Sequence, residues 1–151
     1  MLHVTLIACG KLKEKYLRDA VEEYEKRLGR YVKLSIKELS DGPDMQAEAS
    51  RIEAVLESVE RDTCVITLEI EGTSYTSEGF AEKISELMTK GTAHICFIIG
   101  GSDGLAPSVT SKADLHLSFS KMTFPHQLMR VIFLEQLYRS FRIINGEPYH
   151  K

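Results

Sequence analysis

The chain has 151 residues, 43% of them hydrophobic and 27% charged, which fits one globular domain over 1–151 and excludes a disordered or low-complexity chain. No stretch approaches the ~18 consecutive apolar residues of a membrane span, and the opening MLHVTLIACGKLKEKY lacks a leader's basic start and cleavage site, so a cytoplasmic protein is expected. The net charge of −3 argues against nucleic-acid binding over the whole surface, but it is unevenly spread: residues 1–37 carry nine Lys/Arg against five Asp/Glu, residues 38–118 five against fifteen, and residues 119–151 five against two.

Taken in order, His3 to Ala8 alternates and then runs apolar, a strand stopping at Gly10. Glu14 to Leu28 places Leu17, Val21, Tyr24 and Leu28 on one helical face, closed by Gly29. Tyr31 to Leu39 alternates as a second strand. Ser40 to Asp44 is dense in turn residues, and the helix after it carries Ile52, Val55, Leu56 and Val59. Thr63 to Ile70 is β-branched and central in character, Glu71-Gly72 reads as the turn that ends it, and Ser77 is positioned to cap a helix running to about Lys90. His94 to Ile99 is a fourth strand and Asp114 to Phe119 a fifth. A last helix opens at Phe124 or Pro125. Strands alternating with helices predict an α/β domain, a parallel-rich sheet flanked by helices on both faces.

Three regions carry candidate chemistry. Gly100 to Gly104 follows an apolar strand, and such glycines let backbone approach a ligand; a plain tight turn has the same composition. Neither a Walker loop nor a dinucleotide fingerprint is present. Phe119 to Phe124 (FSKMTF) alternates hydroxyls with apolar side chains, which suits a flat ring edged by polar groups and equally suits a buried crossover loop. His126, Arg130, Arg139, Arg142, Tyr149, His150 and Lys151 supply the cations and rings expected of a surface that binds a splayed RNA nucleotide. Cys9, Cys64 and Cys96 are far apart in apolar runs, with no C-x-x-C and no His pair at ligand spacing. They read as buried reduced thiols, and no metal is expected.

The final helix is apolar on more than one stripe, through Leu128, Met129, Val131, Ile132, Phe133, Leu134, Leu137, Tyr138 and Phe141. A helix apolar on most sides must be buried on most sides, and a second copy of the chain is the expected cover; a central helix packed by its own domain is the alternative.

TLIACGKLKEKY, LEIEGTSYTSEGFA, GGSDGL, SFSKMTFPHQLMR, EQLYR and the closing YHK together resemble the RlmH family nearly from end to end. These are SPOUT-class methyltransferases, which use S-adenosylmethionine (SAM) to methylate N3 of a pseudouridine in the helix 69 loop of 23S ribosomal RNA. The resemblance implies a C-terminal trefoil knot, a homodimer, and SAM contacts from Leu68, Gly100, Phe119, Ser120, Lys121, Met122, Thr123 and Phe124. On the same footing Arg139 is expected to stabilise charge and His150 to act as base or orienting group, with His126, Arg130, Arg142 and Tyr149 on the substrate side. Two alternatives stand beside this: an enzyme of the same fold acting on transfer RNA, and a non-catalytic ribosome-assembly factor.

Overall fold

Among the described residues five strands and five helices alternate: β1 (Leu2–Cys9), α1 (Lys15–Leu28), β2 (Val32–Leu39), α2 (Met45–Ser58), β3 (Cys64–Ser74), α3 (Ser77–Thr89), β4 (His94–Ile99), α4 (Pro107–Thr110), β5 (Leu115–Ser118) and α5 (His126–Ile144). The structure is a computed structural model that describes residues 1–149. All strand pairs are parallel, in the order β2-β1-β4-β3-β5.

Alternation within the strands builds the two faces. Val4, Leu6, Ile95, Phe97 and Ile99 point to one side, with Val21, Phe80, Ile84, Phe133 and Leu137 of α1, α3 and α5. Ile7, Cys9, Cys96 and Ile98 point to the other, under Ala49 and Ile52 of α2 and Val109 of α4. Steps leftward in the strand order (β1 to β2, β3 to β4) cross on the α1/α3 face, and steps rightward (β2 to β3, β4 to β5) cross on the α2/α4 face. Every crossover therefore has the same hand, as parallel sheets require.

Two local expectations are corrected. Glu71-Gly72 is not a turn, because β3 runs on to Ser74 and shifts register against β5 between Leu68 and Thr73. Gly72 is required for a different reason: a Cβ there would meet the Leu117 carbonyl carbon at 2.8 Å. Thr76, not Ser77, caps α3, its side chain accepting from the Gly79 amide.

At the amino ends of the strands lies a buried polar cluster. His94, 5% exposed, stacks on His3 with ring centroids 4.3 Å apart and hydrogen-bonds the hydroxyls of Thr5 (2.8 Å) and Thr63 (3.2 Å). Burial, and then His3, lowers the pKa of His94. The unfolded chain then takes a proton near pH ~6.5 while the folded one resists it, so stability is complete above that pH and is lost as pH falls through the folded value. Urea unfolding is expected to show stability falling from pH 7.5 to pH 5, with a smaller fall in His94→Gln.

Candidate active site

The carboxyl ends of β3 and β4 open into a cavity of about 660 Å³, within the size range of small-molecule sites. Its floor is Leu68 to Glu71 of β3, one wall is Ile99 to Leu105 after β4, and the other is Phe119, Ser120 and Met122 to His126 after β5, with Met129 of α5 at the back. The segment after β5 crosses above the ends of β3 and β4 to bring the start of α5 beside β1, where a Cβ at Gly10 would lie 3.1 Å from His126 Nε2.

The glycine loop is a tight turn and a cavity wall at once. Gly101 and Gly104 bridge across it, and the Gly104 amide donates to the Gly101 carbonyl at 3.1 Å. Gly104 has φ +79, a left-handed conformation that favours glycine. A Cβ at Gly100 would sit 2.8 Å from the Gly104 carbonyl oxygen and 2.9 Å from Leu105 Cδ2. Beneath it lies Glu48, whose Oε1 would be 2.7 Å from a Cβ at Gly101. Burial, then Asp41 and Asp103, raises the Glu48 carboxyl above the ordinary carboxylate range.

The segment after β5 is no buried crossover. Lys121, Met122 and Thr123 are exposed, and its backbone is held by hydroxyls at its start: Ser118 Oγ donates to the Ser120 carbonyl at 3.2 Å, and Ser120 Oγ accepts from the Met122 amide at 2.9 Å. Of the residues expected at a cofactor, Leu68, Gly100, Phe119, Ser120, Met122, Thr123 and Phe124 line the cavity; Lys121 does not. Sequence reasoning missed Ile70, Glu71, Leu105 and Met129. Glu71 was hidden by reading it as a turn, and Ile70 by ending the strand there. Leu105 and Met129 reach the cavity only because the chain crosses over it.

The cationic residues do not gather in one place. His126 lines the cavity. Arg130 was expected on the substrate side, but it is 1% exposed and held inward: Nη1 donates to Glu38 Oε2 at 2.6 Å and Nη2 to the Gly10 carbonyl at 2.8 Å, while Nε is buried without a partner among the described residues. It joins α5 to the carboxyl ends of β1 and β2 rather than presenting charge outward. Arg130→Leu takes the donor from the Gly10 carbonyl, whereas Glu38, 35% exposed, keeps access to water, so stability in urea unfolding is expected to fall by about 2 kcal/mol.

Arg139, Arg142 and Tyr149 lie at the opposite end of the sheet. From His126 to Arg139 an α-helix rises about 20 Å. Arg142 meets Glu147 at 2.6 Å and the hydroxyl of Tyr31, just before β2, at 3.3 Å. Arg139 pairs with Glu135 at 3.2 Å and lies over the Tyr149 ring, 4.7 Å from its centroid. Tyr149 donates to Glu135 at 2.8 Å; burial, then Glu135, pushes its phenol up to about 12, so it is no base near neutrality. His150 and Lys151 lie outside the described residues.

All three thiols were expected to be buried, and Cys64 is only partly so. Cys9 and Cys96 are buried and all three are free, burial pushing Cys9 up to about 11 and Cys96 up to about 12, which makes both poor nucleophiles. Among the described residues no group of three or more His, Cys, Asp or Glu could hold a metal ion, and no helix is long and apolar enough to cross a membrane.

The family described as "Predicted SPOUT methyltransferase" matches residues 2–150. The chain is 55% identical to the ribosomal RNA large subunit methyltransferase H of Bifidobacterium adolescentis and 51% identical to that of Clostridium beijerinckii, over 99% of this chain and 100% of each relative. Among solved structures it is similar to one described as "a probable methylase family protein" from Haemophilus influenzae, with a TM-score of 0.54 at 15% identity, covering 99% of this chain and 70% of that one. At that identity the likeness is one of fold.

Proposed function

Because the chain belongs to the SPOUT methyltransferase family, we propose that it methylates N3 of a pseudouridine in the helix 69 loop of 23S ribosomal RNA, using SAM, as a cytoplasmic homodimer acting on the assembled ribosome. The observation that carries this reading is the cavity at the ends of β3 and β4, walled by the Gly100 and Phe119–Phe124 loops in a chain whose full-length relatives are named ribosomal RNA large subunit methyltransferase H. The trefoil path implied for the C-terminal segment belongs to the same proposal.

The lining fits SAM. Leu68, Leu105, Phe119, Phe124 and Met129 supply apolar walls for an adenine ring, and the Gly100–Gly101 backbone and Glu71 supply polar groups for its edges and for ribose. Bound there, SAM supplies an electrophilic methyl group on a sulfonium sulfur. The protein's own work is to orient the target base and manage one proton. N3 of pseudouridine carries that proton; as it leaves, negative charge spreads to the flanking carbonyl oxygens, and a fixed cation beside them favours the anion. Arg139 is proposed as that cation, with Tyr149 stacking on the base and His150 accepting or orienting the proton.

In one chain Arg139 is about 20 Å along α5 from the cavity mouth, too far to act there. Two copies pairing through α5 in antiparallel fashion bring the Arg139 end of one helix to the cavity of the other. The surface available for this is apolar: α1 and α3 flank α5 within the chain and cover more of it than the pattern implies, but Leu128, Ile70 and Met122 remain 38%, 47% and 74% exposed around the cavity and the start of α5. Labelled SAM supplied with ribosomes from cells lacking this protein, against isolated transfer RNA, tests the reading. Methyl incorporation into 23S RNA is expected. Transfer to transfer RNA alone points to the other substrate class, and SAM binding by neither wild type nor variants points to an assembly factor.

A further inference from the structure

The segment between β1 and α1, together with the first turn of α1, exposes Lys11, Lys13, Lys15, Tyr16 and Arg18. It lies next to the cavity, since Gly10 adjoins His126 and the Lys13 amide donates to the side chain of Gln127, in the first turn of α5, at 3.2 Å. Its backbone is tied down on every side. The Gly10 amide donates to the Leu39 carbonyl at 2.7 Å, the Gly10 carbonyl accepts from buried Arg130, and the Leu12 amide donates to Glu38 Oε2, the oxygen that also accepts from Arg130. Arg18 closes the loop, donating to the carbonyls of Leu12 (3.3 Å) and Lys13 (2.8 Å).

The side chains, by contrast, are uncommitted. Among the described residues Lys11 and Lys13 form no ion pair, while Lys15 shares its charge with Asp19 at the helix surface. Tyr16 leaves 69% of its surface to solvent. A buried arginine and a hydrogen-bonded backbone turn thus hold two free ammonium groups and a bare aromatic ring beside the cavity. Solubility does not require that arrangement. Fixed cations spaced along a rigid loop match successive phosphates, and an exposed ring beside them offers a stacking face for an unpaired base.

We propose that Lys11, Lys13 and Tyr16 form a second contact surface for the substrate RNA, gripping the strand that flanks the target nucleotide, with Arg130 as the positioning residue that sets the loop. The proposal rests on the ribosomal-RNA reading above. It assigns the excess of cations in residues 1–37 a place next to the cavity, although the group spreads over α1 and β2 as well.

The test compares the full-length protein with Lys11→Ala/Lys13→Ala, with Tyr16→Ala, and with Arg61→Ala/Lys112→Ala, which removes the same charge from exposed positions after α2 and α4, on the face of the sheet that α5 does not cover. Ribosome methylation at varied ribosome concentration is expected to give a KM about tenfold higher for the first two, kcat and SAM affinity being retained, and an unchanged KM for the control. Binding to a uridine-rich single-stranded oligoribonucleotide is expected to lose about 1.4 from the slope of log K against log salt in the double lysine variant. Variants indistinguishable from the control in both measurements overturn the proposal. So does a lysine variant whose assembly mass falls in light scattering while its RNA affinity holds, which would give the surface to a second copy. Wild-type protein that methylates no ribosome sinks the ribosomal reading separately, and the oligoribonucleotide slope then decides the surface by itself.

Discussion

Gly100→Val is expected to reduce SAM affinity by on the order of 10²-fold or more while the protein stays folded. Even the first atom of the new side chain would lie 2.8 Å from the Gly104 carbonyl oxygen and 2.9 Å from Leu105 Cδ2, closer than real contacts allow. The neighbour is backbone, so it cannot swing aside as a flexible side chain would. The turn between Gly101 and Gly104 must open, displacing the wall that faces Phe119 and Phe124 by a distance at which ligand geometry is lost. The effect is thus indirect: the side chain strikes its own loop before it reaches any ligand. Calorimetric titration with SAM and with its demethylated product measures the loss, and circular dichroism checks the fold. Unchanged affinity would remove the Gly100–Leu105 loop from the site.

The second large effect is a rescue. Arg139→Ala is expected to lower single-turnover methyl transfer by roughly 10²-fold, the scale for loss of a preorganised electrostatic group, and to leave SAM affinity intact because the guanidinium is proposed to act on the target base and not on SAM. Gly100→Val is expected to be inactive for the opposite reason. If each site takes its cavity from one copy and its Arg139 from the other, unfolding and refolding the two variants together creates mixed dimers in which both defects fall in one site. The other site is then wild type. Random pairing of equal amounts places half the molecules in mixed dimers, so activity is expected to return to about a quarter of wild type. No recovery, with mixed dimers demonstrated by affinity tags, would mean that Arg139 serves the cavity of its own chain or acts only structurally.

Much of the fold was legible because burial is periodic along the chain. His94 to Ile99 is buried at every residue, as expected of an interior parallel strand, and the expected and observed bounds of β4 coincide. Leu17, Val21 and Leu28 of α1 are buried as their spacing predicts. The two walls of the cavity were legible as well, through the glycines after β4 and the uncharged, hydroxyl-bearing start of the segment after β5. The short helix α4 was not, since Pro107 to Thr110 spans barely one turn and shows no period.

The alternation of strands and helices, the parallel character of the sheet and the two loops that wall the cavity were determined by the sequence itself, because each depends on residues within one turn or one pleat of one another. Tertiary structure alone decided where the charges went. Arg130, Arg139 and Arg142 look equivalent in sequence, yet packing of α5 across the sheet buries the first against Glu38 and Gly10 and carries the other two to the far end of the domain. A helix's direction across a sheet is set by contacts between residues a hundred positions apart, such as Arg130 with Glu38 and Arg142 with Tyr31, and no local pattern encodes which end of the strands each turn will meet.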